Sequence, residues 1–427
     1  MKYTTVLFDL DGTLTRSEEG ITKTAIYAAE KMGFTGYTPE QFKVFIGPPL
    51  FDSFRKVVGM TDEQAIQAID YYHERFERLG WAENEVYAGI PSLLRSLKKN
   101  GARIAIVTAK PQIFAERIAK KFGFAPYLET IIGPGLNNKD SSKAALVRRG
   151  IEALGGNVVM VGDRCFDIDG GKANGVDTVG VCYGYGSETE LKEAGATHIA
   201  HTVEELSDIL LGDMPRARGV FISMEGVDGC GKTTQRSALI QHLEKLGWNV
   251  TMTREPGGDE VAEKIRALVL DPENKTMCDE AEAYLYAASR AQNGRALIRP
   301  ALSRGEAVVC DRFVDSSIAY QGGGRELGTE KVAALNAMAV GDTLPDITVY
   351  LRMPADKALS RRLSASEPDR LEREKTAFFT RTYDAYEKLF AGEAGKRTVV
   401  VNAAQSIEDV TREMLDAVDA RLFELEV

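Results

Sequence analysis

Short runs of β-branched and other apolar residues alternate along the chain with longer segments of helical periodicity. Parallel strands need long crossover connections, which are usually helices, so this alternation is typical of parallel sheets covered by helices. We therefore predict an α/β protein with parallel sheets. The predicted strands are Thr5–Phe8, Ile104–Val107, Val158–Val161, Thr178–Val181, Val220–Ser223, Val250–Thr253, Ala307–Cys310, Ile347–Leu351 and Thr398–Val401.

The clearest break in this pattern is the segment Leu211–Arg218, LGDMPRAR, which separates a helical run from a fresh strand. Glycine, proline and charged residues at such a position favour a linker. We predict two domains, 1–212 and 219–427, joined by a linker at 213–218. Residues 18–85 interrupt the alternation with helical patterns, which predicts a helical cap inserted over the mouth of the first sheet.

Composition and charge limit the classes of partner. Hydrophobic residues make up 44% of the 427, which excludes a mostly disordered chain. The 53 basic and 63 acidic residues give a net charge of −10, which argues against a nucleic-acid or anionic-membrane surface. The five cysteines are widely spaced and form no CxxC pair, so we expect neither a disulfide framework nor a zinc site. We find no signal-peptide pattern and no apolar run of about 18 residues, so we expect a cytoplasmic protein.

Two aspartates, Asp9 and Asp11, follow the first predicted strand in the segment VLFDLDGTLT. Residues two apart point to the same side of a strand, so both carboxylates reach one site. One carboxylate can attack phosphorus and form an aspartyl-phosphate, and the other can protonate the leaving oxygen and then deprotonate water. Two anions beside a phosphate require a cation, and oxygen ligands suit Mg²⁺. The segment therefore predicts Mg²⁺-dependent hydrolysis of a phosphate monoester.

Three further signals follow in order. Thr108 ends the strand RIAIVT and can donate a hydrogen bond to a phosphoryl oxygen. Lys143 lies near a helix start, where it can neutralise the transferred charge. Asp163 and Asp167 follow the strand VVMVG and are predicted as further Mg²⁺ ligands.

Together, FDLDGTLT, IVTAK, the Lys143 helix and GDRCFD resemble the haloacid-dehalogenase-like phosphatase superfamily over about residues 1–211. The resemblance implies a Rossmann-like domain with a helical cap. It also implies that Asp9 is the nucleophile and Asp11 the general acid and base. The backbone carbonyl of Asp11 is then a metal ligand beside Asp9, Asp163 and Asp167.

The segments FIGPPLFDSF and VTAKPQIFAERIAKKFGF look like the branch that contains 5′-nucleotidases and phosphoglycolate phosphatases. We favour a nucleoside monophosphate as the substrate. A phosphoglycolate-type phosphatase is one alternative, and a binding or assembly module is another. Ile46, Gly47, Pro48, Pro49 and Arg55 either lie over the pocket or form a cap turn and a helix start.

The second half opens with a phosphate-binding loop, GxxxxGKT from Gly226 to Thr233, between a predicted strand and a helix. Backbone N–H groups of such a loop surround the phosphates, Lys232 reaches the β and γ oxygens, and the Thr233 hydroxyl binds Mg²⁺. A carboxylate inside the loop, that of Asp228, is tolerable if it bonds a hydroxyl of an acceptor. The predicted ATP-binding residues are Gly226, Val227, Asp228, Gly229, Cys230, Gly231, Lys232, Thr233 and Thr234.

Cations beyond the loop indicate a second phosphate-bearing substrate. Arg254, Arg266 and Arg312 are more than an ATPase needs and can clamp a monophosphate. Tyr286 and Arg290 are four residues apart and share a helix face. The aromatic ring of Tyr286 beside the hydrogen-bond donors of the Arg290 guanidinium suits a nucleobase, which stacks and presents carbonyl oxygens. A surface Tyr–Arg pair is the alternative.

The motifs GVDGCGKTTQ, TREPGG, IRALVL, YAASRAQ, DRFVDSSIAYQGGGRELG and DRLEREKTAFFTRTYDAYEKL resemble thymidylate kinase in order and spacing across Gly219–Val427. The resemblance implies a P-loop nucleoside monophosphate kinase fold, the reaction ATP + dTMP → ADP + dTDP with Mg²⁺, and a homodimer formed through this domain. It implies that Tyr286, where the family usually has Phe, stacks on thymine and that Arg290 bonds the base carbonyl. Ser317 and Gln321 then bond the far edge of the base.

The same resemblance assigns the remaining roles. Asp228 and Tyr320 lie near the sugar, and Asp311 supports Mg²⁺ through water. A lid at about Ser360–Arg370 carries the candidate catalytic arginines, Arg361 and Arg362. We therefore predict a bifunctional nucleotide enzyme, a phosphatase fused to a thymidylate kinase, whose small-molecule partners are ATP, dTMP and a phosphate monoester. The predicted dTMP-binding residues are Asp228, Arg254, Arg266, Tyr286, Arg290, Arg312, Ser317, Tyr320 and Gln321.

Overall fold

The computed structural model describes residues 1–46, 50–135, 142–363, 374 and 376–425. The chain divides into two compact units. The first comprises Met1–Ala217 with Lys245–Gly247, and the second comprises Arg218–Glu244 with Trp248–Val427.

The first unit contains a six-stranded parallel sheet in the order β5-β4-β1-β6-β7-β8. A separate antiparallel pair, β2 and β3, joins Thr15–Arg16 to Glu85–Val86. The central strands of the parallel sheet are short and fully buried, as expected where helices cover both faces. The eight strands are β1 Thr5–Phe8, β2 Thr15–Arg16, β3 Glu85–Val86, β4 Arg103–Val107, β5 Thr130–Ile132, β6 Val158–Gly162, β7 Asp177–Val181 and β8 His198–Ala200.

The helices of the first unit fall into two groups. Those between β2 and β3 are α1 Glu18–Lys31, α2 Pro39–Phe42, α3 Leu50–Ser53 and α4 Asp62–Arg78. They enclose an aromatic core of their own, which includes Phe42, Phe45, Phe54 and Phe76. The others alternate with the strands and are α5 Ile90–Lys99, α6 Gln112–Lys121, α7 Lys143–Leu154, α8 Cys165–Ala173, α9 Glu188–Ala194 and α10 Val203–Leu211.

Alternate residues of β1 pack on opposite faces of the sheet. Val6 and Phe8 belong to one core cluster, together with residues of α5, α6 and α10. Leu7 belongs to another, with Leu146 and Val147 of α7. Since every side chain of β1 is thus buried, the catalytic groups can lie only where the strand ends.

The second unit contains a five-stranded parallel sheet in the order β10-β11-β9-β12-β13. Its strands are β9 Val220–Glu225, β10 Val250–Arg254, β11 Ala307–Asp311, β12 Ile347–Arg352 and β13 Thr398–Asn402. Its helices are α11 Lys232–Lys245, α12 Glu260–Leu270, α13 Asp279–Asn293, α14 Arg299–Ser303, α15 Val314–Ser317, α16 Thr329–Val340, α17 Ala355–Leu363, α18 Thr376–Phe390 and α19 Ile407–Glu424. π-helical segments follow α13 at Gly294–Ile298 and α15 at Ile318–Gly324.

The predicted fold class, two parallel-sheet α/β units, is confirmed. All nine predicted strands are present, and most extend one or two residues further than predicted. The prediction missed β2, β3, β5 and β8, which have only two or three residues each. Within the described ranges, no helix is both long and apolar enough to cross a membrane.

Candidate active sites

The predicted phosphatase residues converge at the carboxyl edge of the first sheet. Asp9 directly follows β1, Thr108 follows β4 and Asp163 follows β6. These three strands are neighbours and parallel, so their carboxyl ends meet at one place. Lys143 begins α7 next to Ser142, whose hydroxyl caps that helix.

Three carboxylates and one ammonium form the centre of this site. Lys143 Nζ lies 2.5 Å from Asp9 Oδ1 and 2.6 Å from Asp167 Oδ1. Asp9, Asp163 and Asp167 each offer an oxygen, and these oxygens lie within 4.8 Å of one another. Asp163 Oδ2 accepts a hydrogen bond from the backbone N–H of Tyr185, 2.8 Å away. Its buried Oδ1 has no hydrogen-bond partner among the residues that the structure describes.

The electrostatics of the cluster follow from burial and crowding. Burial raises the pKa of Asp9 to about 6, because the attraction of Lys143 only partly offsets the lost hydration. Burial and the neighbouring Asp167 raise the pKa of Asp163 well above its usual range. Although burial opposes its charge, Lys143 has a raised pKa because Asp167 and Asp9 flank it. A hard divalent cation relieves this repulsion, so the donor set fits Mg²⁺.

Gly12 allows the chain after Asp11 to pass close to Asp163. Its φ of +86° lies in the left-handed region that favours glycine. A Cβ atom at Gly12 would lie 2.2 Å from Asp163 Oδ2. Glycine is therefore required here both by the backbone conformation and by the neighbouring carboxylate.

The side chain of Asp11 pairs with Lys110, a residue that the sequence analysis did not single out. Lys110 Nζ lies 2.5 Å from Asp11 Oδ2, and the backbone N–H of Lys110 donates to Thr108 Oγ1 at 3.2 Å. Lys110 also lies 5.1 Å from the ring centroid of Phe76, on α4. The sequence could have pointed to this residue, because Lys110 is the lysine of the IVTAK motif, two residues after Thr108.

The segment predicted either to cover this pocket or to form a cap turn is only partly described. Gly47, Pro48 and Pro49 lie outside the described residues. Ile46 is buried and its carbonyl accepts a hydrogen bond from Arg164 at 3.2 Å. The Arg55 side chain pairs with Asp62, with Nε 2.7 Å from Oδ1.

In the second unit, the phosphate-binding loop connects β9 to α11. Gly226, Gly229 and Gly231 have φ values of +141°, +88° and +97°, which let the backbone wrap around a bound group. Lys232 Nζ donates to the carbonyls of Gly226 and Val227 at 2.9 and 3.2 Å.

The loop carboxylate, Asp228, is held by two groups from the end of β11 and beyond. Arg312 Nη2 lies 2.5 Å from Asp228 Oδ1, and the Tyr320 hydroxyl donates to Asp228 Oδ2 at 2.8 Å. Burial alone would raise the pKa of Asp228, but Arg312, Lys232 and Tyr320 outweigh burial and lower this pKa to about 2. Asp228 is therefore ionised, and its charge is balanced within the site.

Glu225, the last residue of β9, supports this arrangement and was not predicted. Its carboxylate accepts hydrogen bonds from the Phe313 backbone N–H, the Ser316 hydroxyl and the Tyr386 hydroxyl, at 2.8, 2.5 and 2.9 Å. Ser316 Oγ in turn lies 3.1 Å from Arg312 Nη1. Glu225 is fully buried, and burial together with the negative charge of Asp315 raises its pKa to about 7.

A single cavity of about 530 Å³ brings the predicted substrate residues of the second unit together. All nine predicted dTMP-binding residues line it. Six of the predicted ATP-binding residues also line it, as do Asp311 and Arg361. Its lining comprises Asp228, Gly229, Gly231, Lys232, Thr233, Thr234, Arg254, Glu255, Pro256, Arg266, Leu270, Tyr286, Arg290, Asp311, Arg312, Phe313, Ser316, Ser317, Tyr320, Gln321 and Arg361.

Two arginines and one carboxylate of this cavity already have partners within the protein. Arg254 Nη2 lies 2.9 Å from Glu263 Oε2, and Arg266 Nη1 donates to the Pro256 carbonyl at 2.7 Å. Asp311, predicted beside Mg²⁺, accepts a hydrogen bond from Arg236 at 2.7 Å.

Arg290 is 1% exposed, so the alternative that Tyr286 and Arg290 form a surface pair is wrong. Arg290 Nε lies 2.7 Å from Glu255 Oε2, and its Nη1 and Nη2 donate to Ser317 Oγ and the Phe313 carbonyl at 3.1 and 3.0 Å. Arg290 also donates to Asn336 Oδ1. The guanidinium is thus fixed in orientation at the wall of the cavity.

Gln321 is held from behind by a buried carboxylate. Gln321 Nε2 donates to Glu282 Oε1 at 2.9 Å, and Glu282 Oε2 lies 3.1 Å from Arg325 Nη2. Gln321 is 1% exposed, and its Oε1 has no hydrogen-bond partner within the described part of the chain. Neither Glu282 nor Arg325 was predicted.

The predicted lid is described only at its start. Arg361 lines the cavity, and its Nη1 donates to the Ala403 carbonyl at 3.3 Å. The side chain of Arg362 and residues 364–370 lie outside the described residues.

Two family models match the chain, one in each half. The model described as Haloacid dehalogenase-like hydrolase matches residues 6–181, and the model described as Thymidylate kinase matches residues 224–414. Over 211 residues the chain is 44% identical to the thymidylate kinase of Lactobacillus helveticus, covering 49% of this chain and 99% of that protein. The thymidylate kinase of Pseudomonas putida is 43% identical over 196 residues, covering 46% of this chain and 93% of that protein.

Two solved structures are also similar to the chain. A predicted phosphatase from Clostridium acetobutylicum is 41% identical with a TM-score of 0.47, covering 49% of this chain and 99% of that one. A putative phosphatase from Clostridium difficile is 39% identical with a TM-score of 0.48, covering 49% of this chain and 100% of that one.

The second sheet, its phosphate-binding loop and its cavity define the class of P-loop kinases. The first sheet with its aspartate centre defines a class of hydrolases built on a Rossmann-like parallel sheet. The chain belongs to the thymidylate kinase family, and its first half is a haloacid dehalogenase-like hydrolase domain. Both halves therefore belong to enzyme families, which confirms the predicted fusion of a kinase with a phosphatase.

Proposed function

We propose that the second unit transfers the γ-phosphoryl group of ATP to dTMP, giving ADP and dTDP. The observation that carries this proposal is the single cavity shared by all nine predicted dTMP residues and six predicted ATP residues. A phosphate oxygen of dTMP attacks the γ-phosphorus, and the bond from that phosphorus to the β–γ bridging oxygen breaks. Catalysis of this transfer is mainly positioning and charge stabilisation.

The cations of the cavity divide this work. Lys232 binds the β and γ oxygens, while Arg254 and Arg266 hold the acceptor phosphate. Arg312 lies between the loop and the acceptor, and Arg361 approaches the transferred group. Mg²⁺, when bound, neutralises charge on the phosphates, and its holders would be the Thr233 hydroxyl and, through water, the Asp311 carboxylate. Tyr286, Arg290, Ser317 and Gln321 select the base, and Asp228 with Tyr320 faces the sugar.

Turnover of several monophosphates tests the kinase proposal. We expect kcat/KM to be highest for dTMP, lower for dUMP and much lower for dCMP and dGMP, because Arg290 presents donors to a base carbonyl. Lys232→Ala should abolish dTDP formation and leave ester hydrolysis by the first unit intact. A preference for dGMP or dCMP would contradict the proposal, and so would the loss of both activities in folded Lys232→Ala protein.

We also propose that the first unit hydrolyses a phosphate monoester through an aspartyl-phosphate. An Asp9 oxygen attacks phosphorus while the ester bond breaks, and Asp11 gives its proton to the leaving oxygen. Water then attacks the phosphorus, Asp11 takes a proton from that water, and the bond to Asp9 breaks to release phosphate. Lys143 and the Thr108 hydroxyl stabilise the charge on the phosphoryl oxygens.

The aspartate cluster also suits a resident cation. Asp9, Asp163 and Asp167, with the backbone carbonyl of Asp11, would hold Mg²⁺, which supplies positive charge beside the phosphoryl group when bound. Asp163 Oδ1 has no hydrogen-bond partner in the described part of the chain, which supports this assignment. The Asp11 carboxylate pairs instead with Lys110, whose Nζ lies 2.5 Å from Asp11 Oδ2.

Rapid quench with p-nitrophenyl phosphate tests the two aspartate roles. Asp9→Asn should form no phosphoenzyme, because it lacks the nucleophile. Asp11→Asn should accumulate phosphoenzyme, because this leaving group needs little protonation while water still needs a base. Both variants should keep their dTMP kinase activity. Near-normal hydrolysis by Asp9→Asn would exclude the covalent route. A wild-type first unit that hydrolyses none of the tested esters would favour the alternative of a binding or assembly module.

We propose a nucleoside monophosphate as the ester, because the kinase on the same chain acts on that class. Efficient hydrolysis of dTMP itself would oppose the kinase, so we expect dTMP to be a poor substrate of the first unit. A panel of phosphate esters that includes phosphoglycolate distinguishes the two branches. By resemblance we also propose a homodimer formed through the kinase unit in the cytoplasm.

A further inference from the structure

We infer that Glu282 sets the base specificity of the kinase by fixing the amide of Gln321 with its carbonyl oxygen facing the cavity. This inference rests on the proposed kinase function. Glu282 does not line the cavity and would not touch the base, so it acts as a positioning residue. Its position is fully buried on α13, one turn before Tyr286.

The orientation of the Gln321 amide follows from the chemistry of its neighbours. A carboxylate only accepts hydrogen bonds, so the amide end that faces Glu282 must be the NH₂ group. Glu282 Oε1 receives that group at 2.9 Å. Arg325 donates to the same carboxylate from Nη2 and Nε, at 3.1 and 3.4 Å. The ion pair therefore keeps Glu282 in place and saturated with donors.

The opposite end of the amide is left as an acceptor. Gln321 Oε1 is buried, has no hydrogen-bond partner among the described residues, and belongs to a residue that lines the cavity. A buried acceptor without a partner has lost its hydration and gained no hydrogen bond in return, so the site favours a ligand that brings a donor to it. The proposed substrate does bring one.

Thymine and uracil carry an N–H at position 3, which can donate to Gln321 Oε1. Cytosine carries a bare nitrogen there, which is an acceptor and would meet another acceptor. A site built around one hydrogen bond rejects the analogue that cannot make it, because the buried polar group is then left unpaired. A rotated Gln321 amide would present NH₂ and accept cytosine instead. Glu282 blocks that rotation.

Glu282→Gln tests this inference, with dTMP and 5-methyl-dCMP as competing substrates. These substrates have the same methyl group and differ only at positions 3 and 4 of the ring. The variant amide can accept or donate, so Gln321 becomes free to rotate. We expect the ratio of kcat/KM for dTMP to that for 5-methyl-dCMP to fall about tenfold or more. It should not invert, because Arg290 still disfavours the 4-amino group.

A double-mutant cycle shows whether Glu282 acts through Gln321. Gln321→Met should lower the same ratio, and adding Glu282→Gln to it should change the ratio no further. Asp315→Asn is the matched control, because Asp315 is an equally buried carboxylate that pairs with Arg397 and does not line the cavity. That variant should leave the ratio unchanged.

Opposite results would overturn the inference. The inference is contradicted if Glu282→Gln leaves the ratio of the two kcat/KM values unchanged. It is also contradicted if Glu282→Gln lowers that ratio in the Gln321→Met background as much as it does in the wild type. If Glu282→Gln does not fold, Glu282→Met with Arg325→Met removes the ion pair as a whole and should give the same fall. Wild-type protein that does not phosphorylate dTMP would refute the proposed function. If the wild type prefers dTMP but Glu282→Gln leaves the ratio of the two substrates unchanged, only the inference is refuted.

Discussion

At the level of single residues, the buried carboxyl of Glu225 makes the stability of the kinase unit depend on pH. Its pKa rises from an ordinary 4.5 to about 7 in the folded protein, first because of burial and then because of Asp315. Between these values the folded state holds a proton that the unfolded state has released. The contribution of Glu225 to stability is therefore greatest below about pH 4.5, falls as the pH rises to about 7 and is level above that.

Glu225→Gln removes this titration, because the amide stays neutral at every pH. We expect the free energy of unfolding of the variant, relative to wild type, to rise by about 3 kcal/mol between pH 4.5 and pH 8. Urea titrations at several pH values measure this difference, in which other titrating groups cancel. Parallel stability curves would contradict a raised pKa of Glu225 in the folded protein.

The sequence singled out the residues that we propose to contact substrates, but it did not single out the residues that hold them in place. Asp9, Lys143 and Lys232 occur in short motifs whose spacing follows from the chemistry itself. Glu225 and Glu282 do not. The partners of Glu225 are at least 88 residues away along the chain, and those of Glu282 are at least 39 residues away. Only the folded structure brings such partners together.

At the level of elements, the turn after β1 depends on Gly12. Alanine there needs a left-handed backbone, which costs about 1–2 kcal/mol, and also drives a methyl group into Asp163. We expect Gly12→Ala to lower the free energy of unfolding by more than about 2 kcal/mol and to abolish ester hydrolysis. Colorimetric phosphate release and urea titration measure the two effects.

Gly101 supplies the matched control for this turn. Its φ is +80°, close to that of Gly12, and no atom lies within 4 Å of the position that a Cβ would take. Gly101→Ala should therefore lose only the backbone contribution and retain hydrolysis. Equal losses of activity in both variants would show that strain alone, without contact with Asp163, disables the site.

The element pattern explains which strands the sequence could predict. The central strands β1, β6 and β9 are mostly apolar and buried at every position, because neighbours cover both their faces. The edge strands β5 and β8 have three residues each, with threonine or histidine at their starts. Runs of three residues are too short to show the alternation of apolar and polar residues that predicts a strand. These strands are recognised only in the structure, where β5 pairs with β4 and β8 pairs with β7.

At the level of the whole molecule, each unit carries its own hydrophobic core. We therefore expect two unfolding transitions rather than one. The chain has two tryptophans, Trp81 in the first unit and Trp248 in the second, so Trp81→Phe and Trp248→Phe variants report the transitions separately. Coincident transitions in both variants would contradict independent cores.

Substrates provide a second means of assigning these transitions. dTMP with a non-hydrolysable ATP analogue, at about 100 times the dissociation constant, should stabilise its unit by about 2.7 kcal/mol. For a unit of this size the midpoint should rise by roughly 5–10 °C. The midpoint of the transition reported by Trp248 should rise, and that of the transition reported by Trp81 should not change. Movement of both would show that ligand binding to the kinase also stabilises the phosphatase.

Two catalytic centres on one polypeptide have a consequence for the cell. Every translated copy delivers one hydrolase site and one kinase site, so gene expression cannot alter their proportion. The balance between ester hydrolysis and phosphoryl transfer must then be set by the turnover and selectivity of each site. Selection can act on it through single substitutions at either centre, such as those that change base preference, without touching a promoter.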